Sequence, residues 1–172
     1  MADQFLIVVD MQKDFVDGAL GSPEAVAVVP AVCEKIRAFD GDVIVTYDTH
    51  AADYLHTAEG VKLPVPHCIK DTDGWQIRAE LDALRRTEAI DKLTFGSSVL
   101  VDVLKAEKDI ESITFVGLCT DICVISNAIM IKNYFPSVKV TVDASCCAGV
   151  TPEKHTAALE VMKSCQIDVI GE

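Results

Sequence analysis

Short, almost wholly apolar runs alternate along the chain with stretches in which apolar positions recur every third or fourth residue. The runs fall at Phe5–Val9, Val43–Tyr47, Ile113–Val116, Val138–Val142 and Ile167–Ile170, with a weaker one at Ala89–Ile90. Helical periodicity occupies Ala31–Phe39, Ile77–Arg85, Val99–Ala106, Ile122–Tyr134 and Glu153–Lys163. Strands that are apolar at nearly every position are buried on both faces, as in a parallel sheet covered by helices. The pattern predicts an α/β chain: a three-layer, doubly wound fold around a central, mostly parallel sheet of about six strands. Local punctuation agrees. Pro30 suits a first helical turn, Thr151-Pro152-Glu153 reads as cap, proline and acidic helix start, and Asp40-Gly41 closes a helix before the second strand. From Thr49 to Gly74 the periodicity fails, and loops of that length inside compact domains are often functional.

Polar residues then fall at telling places. Asp10 follows the first strand, Asp48 the second, Asp91 and Lys92 the weak one, and Gly117 to Cys123 the run Ile113–Val116. In a parallel sheet all of these lie at the carboxyl edge, where open α/β sheets bind ligands. Singly, each has a plainer reading: an aspartate as turn former, a lysine as solvated surface, a cysteine as small core filler. Their convergence on one edge favours function. Cys123 stands out, because Thr120 and Asp121 would cap a helix starting near Ile122, whose free N–H groups favour a thiolate in the first turn. Cys119 lies four residues earlier without a CxxC pattern, which argues against a redox pair.

Composition narrows the classes. A length of 172 residues fits one domain over residues 1–172. Half of the residues are hydrophobic, yet no apolar run approaches the roughly 18 residues of a membrane span, and the start lacks signal-peptide features. Seven cysteines, an odd number without paired spacing, favour free thiols in a reducing compartment, so a cytoplasmic protein is expected. A net charge of −12 without a basic stripe speaks against nucleic acid as a partner.

Five blocks, VVDMQKDFVDGAL, VTYDTH, PVPHCIKDTDGW, DKLTFGSS and VGLCTDICV, in that order, resemble the isochorismatase-like cysteine hydrolases and, among these, the nicotinamidases. The resemblance extends over nearly the whole chain. It implies an amidohydrolase acting on a linear carboxamide, with a triad of Asp10, Lys92 and Cys123. Asp10 would take the thiol proton, the thiolate would attack the carbonyl, and the carboxylic acid would protonate departing ammonia. It implies a cis peptide between Leu118 and Cys119, with an oxyanion held by the backbone N–H groups of Cys119 and Cys123. It implies one divalent metal ion, zinc foremost, with manganese or iron as alternatives, on Asp48, His50 and His67. The fourth ligand is Glu59 or His56, the Thr57-x-Glu59-Gly60 setting favouring Glu59. Phe15, Leu118 and Ile122 are the candidate pocket residues, the partner is a small-molecule amide, no membrane is involved, and a homo-oligomer is left open.

Departures from the nicotinamidase pattern bear on the substrate. Pro64 stands where several nicotinamidases place a stacking aromatic, and Ile122 precedes the nucleophile where histidine is frequent; Trp75 or Phe95 are candidates to replace the lost ring. The leading expectation is deamidation of nicotinamide to nicotinate for NAD salvage, through a thioester on Cys123. The alternatives are the same triad acting on an N-carbamoyl or ureidoacrylate-like amide, and a catalytically silent binding protein of the same fold. Cys123 weighs against the vinyl-ether chemistry of isochorismatases, whose dedicated enzymes lack that thiol. Cys146 and Cys147 are read as core thiols.

Overall fold

A computed structural model describes residues 3–172. Strand β1 (Asp3–Val9) leads into a single turn of helix α1 (Lys13–Val16) and the long helix α2 (Pro23–Ala38). Strand β2 (Asp42–Asp48) is followed by a 3-10 turn at Tyr54–His56 and two short helices, α3 (Ala58–Lys62) and α4 (Ala79–Asp82). Then come β3 (Ile90–Lys92), α5 (Ser98–Ala106), β4 (Ile110–Leu118), α6 (Ile125–Tyr134), β5 (Lys139–Ala148), α7 (Pro152–Ser164) and β6 (Asp168–Ile170). The six strands form one sheet in the order β3-β2-β1-β4-β5-β6, and every neighbouring pair is parallel.

The alternation of side chains along β1 shows how two apolar layers grow from one strand. Phe5, Ile7 and Val9 pack with Leu100 and Leu104 of α5, Ala128 and Ile131 of α6 and Leu159 and Met162 of α7. Leu6 and Val8 face the other way, onto Val29, Val32 and Ile36 of α2 and Leu81 of α4. Burying both faces is what makes these strands apolar throughout. The strand order reverses between β1 and β4, which creates a crevice at their carboxyl ends.

Helix α2 starts earlier than the periodicity predicts. Ser22 accepts a hydrogen bond from the Ala25 N–H at 3.0 Å and Pro23 occupies the first helical position. Ser22-Pro23-Glu24 thus carries the same cap-proline-acid signature as Thr151-Pro152-Glu153, and Pro30 lies inside the helix instead of opening it. The helix expected over 77–85 contracts to α4.

At Gly117 the main chain adopts φ +113°, and a Cβ there would sit 2.2 Å from the Val9 carbonyl oxygen. The close approach binds the two central strands just below the crevice. Gly117→Ala is expected to cost about 3–5 kcal/mol, combining a disfavoured φ with overpacking against backbone. Denaturant unfolding of both proteins measures it.

Candidate active site and metal centre

Four strand ends deliver the polar groups. β1 delivers Asp10, β2 delivers Asp48, β3 ends on Lys92, and the wide π-type turn Thr120–Val124 after β4 carries Cys123. Asp10 takes φ 47°, a left-handed conformation that aspartate tolerates better than most residues. Thr46 holds it there. Its hydroxyl donates to Asp10 Oδ1 at 2.6 Å and accepts from the Asp10 N–H at 3.3 Å.

Lys92 is the hub. Its Nζ lies 2.6 Å from Asp10 Oδ2, 3.2 Å from Asp48 Oδ1 and 3.3 Å from Cys123 Sγ. Asp10, Lys92 and Cys123 are all buried, at 0%, 2% and 4% exposure, so the charges interact with little screening from water. Burial pushes the Asp10 carboxyl above its ordinary range, and the Lys92 ammonium offsets only part of that. Burial and then the Asp10 charge hold the Cys123 thiol well above its usual pKa. Burial opposes the charged form of Lys92 too, but Asp10, the thiol and Asp48 outweigh it and its pKa rises. The resting site therefore pairs a neutral thiol with a charged lysine, in contrast to the thiolate that a helix start alone favours.

The expected cap is also absent. The turn bearing Cys123 has no side-chain cap. Asp121 instead accepts from the Val150 N–H at 2.9 Å, and the Thr120 hydroxyl bonds His155 Nδ1 at 2.7 Å. Both tie the turn to the start of α7. Asn127, fully buried, donates to the carbonyls of Cys123 and Phe95 and accepts from the Ser97 N–H. The peptide between Leu118 and Cys119 is cis.

Beside the triad, one ligand atom each from Asp48, His50 and His67 lies within 4.8 Å of the others. His67 Nδ1 bonds the Val65 carbonyl at 2.8 Å, which fixes the tautomer that leaves Nε2 bare. His50 Nε2 is buried without a hydrogen-bond partner among the described residues, although Asp48 Oδ2 is 3.0 Å away. An orphaned ring nitrogen, a second bare one and a carboxylate oxygen suit a divalent cation. Burial raises the Asp48 carboxyl, but the adjacent His50 ring and the Lys92 ammonium bring it below its ordinary range. Glu59 Oε1 approaches to 3.6 Å of His50 Nε2 and 3.7 Å of His67 Nε2. His56 is exposed on the 3-10 turn and stands apart from the cluster.

A cavity of about 440 Å³ opens over both groups, a size ordinary for small-molecule sites. Phe15, Leu63, Leu93, Phe95 and Ile122 supply apolar walls, with Cys119 and Cys123 among the lining residues. Leu118 does not line it. That side chain is fully buried in the apolar layer shared with α2, because strand alternation turns it into the core at the last position of β4. Trp75 likewise packs away, stacked on Tyr47 with centroids 4.7 Å apart and donating to the Thr49 hydroxyl. Phe95, the other candidate ring, lines the cavity. Cys146 and Cys147 are buried in the two apolar layers. Among the described residues, no helix is long and apolar enough to cross a membrane.

The pattern of strands and motifs does not single out Thr46, Gln12 or Asn127. A threonine inside an otherwise apolar strand was the available signal for the first.

Residues 4–171 match the isochorismatase domain. A nicotinamidase of Schizosaccharomyces pombe is 28% identical, with 97% of this chain and 92% of that protein aligned. The solved pyrazinamidase of Pyrococcus horikoshii in complex with zinc superposes with a TM-score of 0.82 at 26% identity, over 99% of each chain. A pyrazinamidase/nicotinamidase of Streptococcus mutans superposes with a TM-score of 0.81 at 27% identity, over 98% of this chain and 100% of that one.

Proposed function

The chain belongs to the isochorismatase family, and on that premise we propose that it is an amidohydrolase that deamidates nicotinamide to nicotinate and ammonia. One observation carries the reading: a buried thiol 3.3 Å from a lysine that is itself 2.6 Å from a carboxylate, at the base of a cavity shared with a three-residue metal-ligand cluster. The 28% identical relative is a nicotinamidase, and the zinc-bound neighbour is a pyrazinamidase.

Asp10, ion-paired through Oδ2 with Lys92, takes the Cys123 proton as sulfur attacks the amide carbon. Its raised pKa makes the resulting acid a matched donor for the departing amine, which leaves as ammonia. Backbone N–H groups of Cys119 and Cys123 receive the oxyanion. A water, deprotonated by Asp10, then hydrolyses the thioester and the proton returns to sulfur. Lys92 stays protonated and offsets the negative charge that passes between Asp10 and Cys123. Asp48, His50 and His67, with Glu59 as fourth ligand, would hold a divalent ion, for which zinc suits the donor set. Bound there, it would supply a Lewis acid that anchors a ring nitrogen of the substrate.

The missing stacking ring at Pro64 is the specific observation that favours a second reading, another small amide with an N-carbamoyl group. Ammonia release from nicotinamide and from an N-carbamoyl amino acid, assayed with and without chelator, separates the two. Nicotinamide is expected to be the better substrate, and metal removal to lower its kcat/KM by at least about tenfold. Chelator-insensitive cleavage of the N-carbamoyl compound alone would establish the second reading instead.

A further inference from the structure

Where β1 leaves the sheet, β2 continues without its neighbour on that side. The β1–β2 register ends at Val8 opposite Val45, and Asp10, at φ 47°, turns the chain away. Three residues farther along β2, at Asp48, a side chain takes the place of a strand. Gln12 Oε1 accepts from the Asp48 N–H at 2.7 Å. Its Nε2 donates to the Asp48 carbonyl at 2.8 Å and to the Trp75 carbonyl at 2.8 Å. Gln12 is fully buried, and these bonds engage both amide hydrogens and the amide oxygen. On its other side Asp48 is in register with Lys92 of β3.

We infer that Gln12 is a positioning residue of the metal centre: its carboxamide clamps the Asp48 backbone and so aims the carboxylate shared by the histidine cluster and Lys92. The inference rests on the metal-binding reading above. Asp48 has two tasks, with Oδ2 3.0 Å from His50 Nε2 and Oδ1 3.2 Å from Lys92 Nζ. A small backbone rotation would disturb both. The same turn grips the other side of the cluster. Asp14 Oδ2 accepts from the N–H of Cys68, directly after His67, at 2.8 Å. Room for that carboxylate comes from Gly74, where a Cβ would lie 2.2 Å from the same oxygen. Gln12 and Asp14, two residues apart, thus hold the two backbone segments that bring Asp48 and His67 together.

Few side chains could replace Gln12. Glutamate accepts but, when ionised, does not donate; methionine fills the space without polar atoms; asparagine is one methylene short. The test uses the full chain as wild type and Gln12→Met, with zinc affinity measured by competition against a chromophoric chelator, at a temperature where circular dichroism shows both folded. Wild type is expected to bind one equivalent. Gln12→Met should bind at least about tenfold more weakly, with kcat reduced in parallel. Zinc affinity within about twofold of wild type, whatever the loss in Tm, would make Gln12 a structural residue only and overturn the inference. If Gln12→Met does not fold, the same criterion applies to Gln12→Glu, which keeps the shape and the acceptor. Failure of wild type to bind zinc would overturn the metal reading and this inference with it, an outcome distinct from equal binding by the two proteins.

Discussion

Cys123→Ala is expected to lower ammonia release from nicotinamide by at least about 10⁴-fold while the protein stays folded. The thiol is the group proposed to form the covalent bond, and no hydroxyl lies in the trio of Asp10, Lys92 and Cys123 to substitute for it. The oxyanion-binding N–H groups and the cavity walls survive the change, so substrate binding should weaken far less than turnover. Losing a buried sulfur in the apolar layer with Val124 and Ala128 costs about 1 kcal/mol, too little to unfold a domain of this size. Rates at saturating substrate, combined with a thermal melt, separate chemistry from folding. Equal turnover by the two proteins would remove Cys123 from the mechanism.

Lys92→Met should damage stability as well as rate. The ammonium is the cation facing two buried carboxylates, Asp10 and Asp48. Removing one partner of a buried ionic group leaves uncompensated charge, at a cost of about 3–5 kcal/mol. The pH dependence identifies the cause. Burial already raises the folded-state pKa of Asp10, and loss of Lys92 raises it further. The native state then holds a proton that the unfolded chain releases. Stability from that proton is fully present below the ordinary aspartate value of about 3.9 and is lost as pH rises through the higher folded value. The deficit of Lys92→Met relative to wild type should therefore shrink in acid and be largest near neutrality. Urea unfolding at both pH values checks the sign, and a pH-independent deficit would point to packing alone.

Much of this was legible because parallel strands write themselves as unbroken apolar runs, and their carboxyl ends can then be counted off. Counting strand ends singles out Asp10, Cys123 and the Asp91-Lys92 pair, and the block resemblance picks Lys92 from that pair and joins His50 and His67 to Asp48. The less legible features depend on partners distant in sequence. Gln12 meets Asp48 across 36 residues, and Thr120 and Asp121 look like caps until α7 folds against them and claims their oxygens. The state of the Cys123 thiol belongs to the same class. A helix start lowers a thiol pKa, whereas burial beside a carboxylate raises it, and only the assembled site decides between them. Leu118 failed as a pocket residue for a local reason: the alternation of β4 persists to its last residue.

The sheet ends as it does for a reason of its own. Its outer strands, β3 and β6, are three residues each, while the inner ones run from seven to ten residues. Open strand edges are templates on which a second chain can add a strand, and edges this brief offer only a few main-chain groups to such an intruder. The chain keeps its long β-rich stretches inside and presents stubs at the margins, which favours its remaining dispersed when concentrated.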